Sequence, residues 1–263
     1  MKPRPMGVFQ FGIELLKTND LDPIYVMLYH SPLSKNVLRK WLLAYWCFYS
    51  IETCNRIINY NDYWEGMRAA ASSSDFKRGT ERRHFRGNLA ITSVEDLSRL
   101  SVSERFKPLE TVESVSYLEV INQVMTWRGF GPWIAFKVAD MLDRLGFCSI
   151  KFDYQAQSKV MLFDSPKEGA KRVTERYGGN SNQPEVWAVN KLSESLGRFK
   201  APPDYQRPIN IQEIETILCK WKSHTNGHYQ LGEDLKTVRL ALSNPKTEIE
   251  RHLIKGCKLG GIW

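Results

Sequence analysis

Trp127-Arg128-Gly129-Phe130-Gly131-Pro132-Trp133-Ile134-Ala135-Phe136-Lys137-Val138 is the stretch that most restricts what this chain can fold into. Val120, Val124 and Trp127 lead into it at spacings that share one helical face, and Ile134, Ala135, Val138 and Leu142 continue apolar beyond it. Gly129 and Gly131 open backbone conformations closed to residues with a Cβ. Pro132 suits the first position of a helix, where its missing N–H costs nothing. The expectation is two helices within about 116–145 joined by a tight hairpin. Free amides ahead of the second helix form a concave donor cluster suited to a phosphate oxygen. The same pattern also serves an ordinary αα-corner.

The charge balance bears on that choice. Lys and Arg number 37 against 29 Asp and Glu, a formal net charge of +8. Such a balance favours a polyanionic partner, because each phosphate neutralised releases counterions; charge scattered for solubility gives the same sum. With 263 residues the chain is long enough for one large domain or two small ones. No apolar run approaches a membrane span, and Met1-Lys2-Pro3-Arg4-Pro5 lacks the apolar core of a signal peptide. Cys47, Cys54, Cys148, Cys219 and Cys257 are few, odd in number and widely spaced, which fits reduced thiols in a cytoplasm.

Strand signals are scarce, so the class is all-α. Residues 1–30 read as a leader of loops and short helix packed on the body, 31–200 as a helical body and 201–263 as a C-terminal helical extension after Ala201-Pro202-Pro203-Asp204. Ser31-Pro32 is a helix start, followed by a helix aromatic on many faces from Leu38 through Glu52. Asp62, Ser93, Ser165-Pro166, Pro184-Glu185 and Asn210 open further helices, and Gly178 and Gly197 stop two of them. Ser149 to Asp153 reads as extended.

Asp153 lies 22 residues beyond Gly131 (153 − 131), enough for the second helix and a return loop. That layout resembles the helix-hairpin-helix DNA glycosylase superfamily, in which a catalytic Asp follows the hairpin at about this distance; Asp153 as a helix-capping carboxylate fits the spacing equally. The chain departs from some members in having no lysine inside the turn and no closely spaced C-terminal cysteines.

Four longer blocks are more specific: Trp41 to Ser50, Glu81 to Gly87, Phe130 to Asp140, and Glu215 to His224 continuing into Asn226-Gly227-His228-Tyr229. In this order they resemble the phage amino acid:DNA transferases of thymine hypermodification, also called alpha-glutamyl/putrescinyl thymine pyrophosphorylases, of the second clade. The resemblance implies a glycosylase-like helical body with extra C-terminal helices. It also implies a reaction on double-stranded DNA, in which a kinase first pyrophosphorylates 5-hydroxymethyluracil. A free amino acid, glycine or serine among the candidates, then displaces pyrophosphate at the 5-methylene. A magnesium ion is compatible with such a leaving group, although no carboxylate cluster demands one. The setting implied is the cytoplasm, that of a host cell if a phage encodes the chain.

Under this resemblance Asp153 and His84 are the catalytic candidates, with the carboxylates of Asp140 and Glu52 behind Asp153 as acceptors of the amine's proton. Arg82, Arg83 and Arg86 are candidates for the pyrophosphate, since guanidinium forks match phosphate oxygens. Packed cations repel unless an anion joins them, although a DNA backbone contact or a solvated loop would use the same residues. Gly129, Gly131 and Lys137 would hold a backbone phosphate, as would Lys220, Lys222, His224 and His228. Trp46, Tyr49 and Trp133 could stack on an extruded base, with core packing the competing use of each ring. Cys219, His224 and His228 have ligand-like types for zinc but no CxxC pair, so no metal is assigned. A glycosylase that excises a modified or damaged base is the alternative activity, and a non-catalytic helical DNA-binding module is the third reading.

Overall fold

The computed structural model describes residues 6–110, 114–152 and 163–263. Helices dominate them. They run α1 (Val8–Lys17), α2 (Pro23–His30), α3 (Lys35–Phe48), α4 (Ile51–Ile58), α5 (Tyr63–Ser72), α6 (Gly87–Leu97), α7 (Val102–Phe106), α8 (Tyr117–Met125) and α9 (Pro132–Arg144). After these come α10 (Asp164–Tyr177), α11 (Pro184–Leu196), α12 (Ile211–Thr225), α13 (Glu233–Ala241) and α14 (Glu248–Leu259). The fold is all-α, with a single two-residue parallel pair among the described residues: β1 (Val115–Ser116) and β2 (Ile150–Lys151). No described helix is long and apolar enough to cross a membrane.

The hairpin forms where the sequence places it. Ser116 caps α8 in a reciprocal capping box with Glu119, and Pro132 opens α9. β1 pairs with β2 so that the start of α8 is tied to the chain leaving α9, and the Asp143 carboxylate accepts from Ile150 N at 2.9 Å. Gly129 sits at φ 81°, and a Cβ there would lie 2.5 Å from Ser93 Oγ, so this position demands glycine twice over. Gly131 does not: its φ is −101° and open space surrounds it. It caps α9 in extended backbone at the exposed mouth of the turn.

Two cores stand side by side. The larger gathers Trp41, Trp46, Phe48, Phe106 and Phe136 from α3, α7 and α9, with residues of α2, α4 to α6, α8, α13 and α14. The smaller joins α1 to α10, α11 and α12 through Phe11, Val173, Leu192, Ile217 and Trp221. Burying such side chains contributes on the order of 2 kcal/mol each. The cores do not follow the chain divisions at 30 and 200. Helix α1 belongs with α10 to α12, and α2 lies against α14 at the other end of the chain.

Three sequence expectations need correction. The helix expected through Leu38 to Glu52 is two helices, because Tyr49 turns left-handed (φ 51°) and Ser50 then caps α4 by accepting from Thr53 N at 3.3 Å. Ser93 does not open a helix; it lies inside α6, where its hydroxyl donates back to Leu89 O at 2.6 Å. Ser31-Pro32 lies ahead of the real cap, Ser34.

Candidate active site

Charged residues at 137, 140 and 144 share one face of a largely apolar helix, and the fold turns that face onto α12 at the seam between the two cores. Arg144, 4% exposed, donates to Asp22 Oδ2 at 2.6 Å and to Pro202 O at 3.0 and 3.1 Å, and lies 3.3 Å from Glu213. Asp140 accepts from the Tyr25 hydroxyl at 2.6 Å and from Gln212 Nε2 at 3.0 Å. Arg207 clasps Glu213 at 2.9 and 3.0 Å, and Glu213 also closes the capping box of α12. Those members are fully engaged and act as a clamp between α9 and α12. Removing one partner of such a cluster would strand a buried charge.

Lys137 and Glu215 lie at the same seam under less restraint. Lys137 Nζ is 3.6 Å from Asp140 and 3.8 Å from Glu215. Burial alone would lower the Lys137 pKa, but the carboxylates of Glu215 and Asp140 outweigh it and hold the ammonium charged well above the ordinary lysine range. Burial pushes the Glu215 carboxyl up to about 7 despite the opposing pull of Lys137. The Tyr117 phenol is also raised, by burial first and then by the charges of Glu215 and Asp140. Tyr49 and Trp133 stand beside this group, half-buried, with ring centroids 5.4 Å apart, and the charge of Lys137 acts on Tyr49. A left-handed tyrosine next to buried charge is the kind of strained position that functional sites hold.

The loop at 77–86 packs onto the hairpin turn and carries a different kind of positive charge. Arg82 is a correction: it is buried, its Nε donates to Cys47 O at 3.1 Å and both terminal nitrogens donate to Gly129 O at 3.2 Å. Its donors are spent on backbone carbonyls, and it fastens the loop and α3 to the hairpin rather than presenting a fork to a phosphate. Arg78 does similar work, donating to Ala70 O, Ala71 O and Phe85 O. Arg83, His84 and Arg86 are exposed. The Arg83 side chain makes one hydrogen bond among the described residues, to Thr80 O within its own turn. His84 and Arg86 make no side-chain hydrogen bond or ion pair among the described residues. Arg128 and Gly131, both exposed on the adjoining turn, extend the same surface.

Other expected site residues divide as follows. Trp46 is fully buried, stacked on Phe106 and donating to the Met141 sulfur at 3.2 Å, so it is core and not a base-stacking ring. Lys137 is 7% exposed and paired with carboxylates, which removes it from a surface grip on DNA. Lys220 donates to Asp20 O and Leu21 O and pairs with Asp234 at 2.5 Å, fixing the loop before α2 to α12. His224 stacks on Phe11 and its Nδ1 lies 3.1 Å from Tyr229 O. Lys222 is half-buried and His228 exposed. Glu52 pairs with Lys77 at 2.7 Å. Asp153 lies outside the described residues. Its described neighbour Phe152 packs on Tyr117 with centroids 5.3 Å apart.

Sequence reading missed Glu215, Tyr117, Arg144 and Glu213 as one constellation. The signal was present: Lys137, Asp140 and Arg144 at i, i+3 and i+7 in a buried helix require opposite charge from a facing element.

Comparison with known proteins gives these positions a context. A family model for amino acid:DNA transferase matches residues 13–228, which span the hairpin, the cationic loop and the seam. A protein named glycinyltransferase, from Pseudomonas phage PaMx11, is 38% identical over 269 aligned residues, covering 90% of this chain and 90% of its own. A putrescinyltransferase from Delftia phage PhiW-14 is 24% identical over 237 residues, 83% of this chain and 73% of that protein.

Proposed function

The chain belongs to the amino acid:DNA transferase family, and we propose that it transfers glycine onto the 5-methylene of pyrophosphorylated 5-hydroxymethyluracil in double-stranded DNA. The amine nitrogen forms a bond to the methylene carbon. The carbon–oxygen bond to pyrophosphate breaks, pyrophosphate leaves with the electron pair, and the nitrogen gives up a proton. A kinase acting on hydroxymethyluracil DNA must precede this step, and the setting is the cytoplasm of an infected cell.

The observation that carries the reading is the adjacency of two unlike features on one hairpin. Exposed Arg83, His84, Arg86 and Arg128 surround the turn, while a buried carboxylate-and-lysine group lies on the inward face of its second helix. Preorganised cations lower the energy of a departing pyrophosphate because charge grows on its oxygens as the bond breaks. The amides at the start of α9 would hold the strand, and Tyr49 and Trp133 would meet a base swung out of the duplex, since its 5-methylene is out of reach inside the stack. Glycine is favoured over a diamine because the glycinyltransferase relative is the more similar and is matched along nearly all of both chains.

The test is incubation of pyrophosphorylated 5-hydroxymethyluracil DNA with glycine, serine and putrescine in competition, followed by nucleoside mass spectrometry. Glycyl-substituted nucleoside should predominate. Free base with abasic sites would instead establish a glycosylase, and unchanged nucleoside would leave a binding module.

A further inference from the structure

Three buried polar side chains at the seam are short of partners, and their charges act on one another. Lys137 Nζ, at 3.6 and 3.8 Å from its carboxylates, is within ion-pair range but beyond ordinary hydrogen-bond length. Glu215, 3% exposed, accepts a single 3.4 Å hydrogen bond among the described residues, from Thr216 next to it on its own helix. Tyr117 is 1% exposed, and its hydroxyl has no hydrogen-bond partner among the described residues. Its ring packs on Phe136, the residue before Lys137 on α9, with centroids 6.3 Å apart. Buried polar groups in proteins are nearly always satisfied, so an orphan hydroxyl on the helix packed beside a loosely held lysine and glutamate calls for a ligand. The surrounding clamp is also unbalanced. Among the described residues Asp22, Asp140, Glu213 and Glu215 pair with Lys137, Arg144 and Arg207, an excess of one carboxylate.

We propose that this group binds the amino-acid head of the co-substrate, with Glu215 taking the ammonium and then its proton, and Lys137 and the Tyr117 hydroxyl taking the carboxylate. The assignment rests on the transfer reading for its chemistry and on the seam's geometry for its place. An ammonium offers only donors and a carboxylate only acceptors, which is the pattern these three side chains complement. The excess negative charge is met by the ammonium, and the unpaired Tyr117 hydroxyl gains an acceptor. A diamine would set its second ammonium against Lys137. Before transfer the Glu215 carboxylate takes a proton from the ammonium and frees the nitrogen's lone pair. That pair then forms the nitrogen–carbon bond as the carbon–oxygen bond breaks and pyrophosphate leaves with its electrons, the product nitrogen remaining a secondary ammonium.

Lys137 on α9 and Thr216 on its own helix approach Glu215, and the charges of Asp140 on α9, Tyr117 on α8, Asp22 ahead of α2 and Cys219 on its own helix act on it. Burial dominates these and places the carboxyl at about 7, where a proton acceptor works well at neutral pH.

The test titrates glycine and putrescine calorimetrically into the full chain, alone and with unmodified duplex DNA, for wild type, Tyr117→Phe and Lys137→Met. Circular dichroism confirms the fold of each, and Tyr117→Phe removes only the hydroxyl. Glycine should bind wild type in preference to putrescine. Its affinity should fall about tenfold in Tyr117→Phe and at least as far in Lys137→Met, the scale of a lost hydrogen bond to a charged group. Unchanged glycine affinity in Tyr117→Phe, no glycine binding in either setting, or equal binding of putrescine would overturn the assignment. Because binding is read without chemistry, these failures leave the transfer reading standing, and a chain that binds glycine but transfers nothing removes the reaction alone. In the transfer assay, the wild-type rate should rise with pH through about 7, and Glu215→Gln should abolish that limb and lower the rate about 100-fold. A limb that survives the substitution would give the proton to another group.

Discussion

The positive charges of the loop at 77–86 and those of the α9–α12 seam are arranged by opposite rules. At the seam each arginine is closed in by acids: Arg144 by Asp22, Asp140 and Glu213, and Arg207 by Glu213. In the loop Arg82, buried, and Arg78, half-buried, are held by backbone carbonyls, while Arg83, His84 and Arg86 face solvent with little or no restraint. Carbonyl partners hold a guanidinium without neutralising it, so Arg78 and Arg82 keep their positive charge beside the hairpin turn, whereas Lys77 in the same loop is paired with Glu52. The seam spends its charge on cohesion, except at Lys137 and Glu215. Residue type therefore decides little here; the partner decides whether a cation is structural or available.

The contrast can be broken by substitution. Arg144→Met should have the largest effect, a loss of about 4 kcal/mol read by urea denaturation, since it leaves Asp22 without its cation and takes one of the two cations from each of buried Asp140 and Glu213. Next is Arg82→Met, which leaves the carbonyls of Cys47 and Gly129 without their donor and should cost about 2 kcal/mol in the same assay. Were the two costs reversed, the loop arginine and not the seam would be the main clamp. Gly129→Ala forces a side chain into left-handed backbone and against Ser93, and should lower stability by about 1–2 kcal/mol in a thermal melt while weakening duplex binding. Smallest in stability is Arg86→Ala, whose melting temperature should match wild type. Its affinity for duplex DNA should drop, with the slope of log affinity against log salt reduced by about 1 in a fluorescence titration. An unchanged salt slope would take Arg86 off the DNA surface.

Much of the helical layout was legible because local rules decide it. Asp62 and Asn210 cap helices, and Gly178 ends α10 in left-handed backbone. The break at Tyr49 was hidden because an aromatic residue gives no local sign of a left-handed turn; the loop at Gly79, bound to Phe48 O at 2.9 Å, and the cap at Ser50 impose it together. The site was half legible. The hairpin and the exposed Arg83, His84 and Arg86 follow from turn residues and charge density. Arg82 looked identical to its neighbours in the sequence, and only the approach of Cys47 O and Gly129 O separates it. Glu215 and Tyr117 stayed invisible because they are 98 residues apart in the chain (215 − 117) and each packs on α9, Glu215 against Lys137 and Tyr117 against Phe136.

The division of labour between loop and seam is tested most directly by bisubstrate transfer kinetics on Arg86→Ala and Tyr117→Phe side by side. The expected result is a crossed pattern: Arg86→Ala raises KM for the DNA and leaves that for glycine alone, whereas Tyr117→Phe raises KM for glycine and leaves that for the DNA. Movement of the same constant by both substitutions, or of neither, would contradict it.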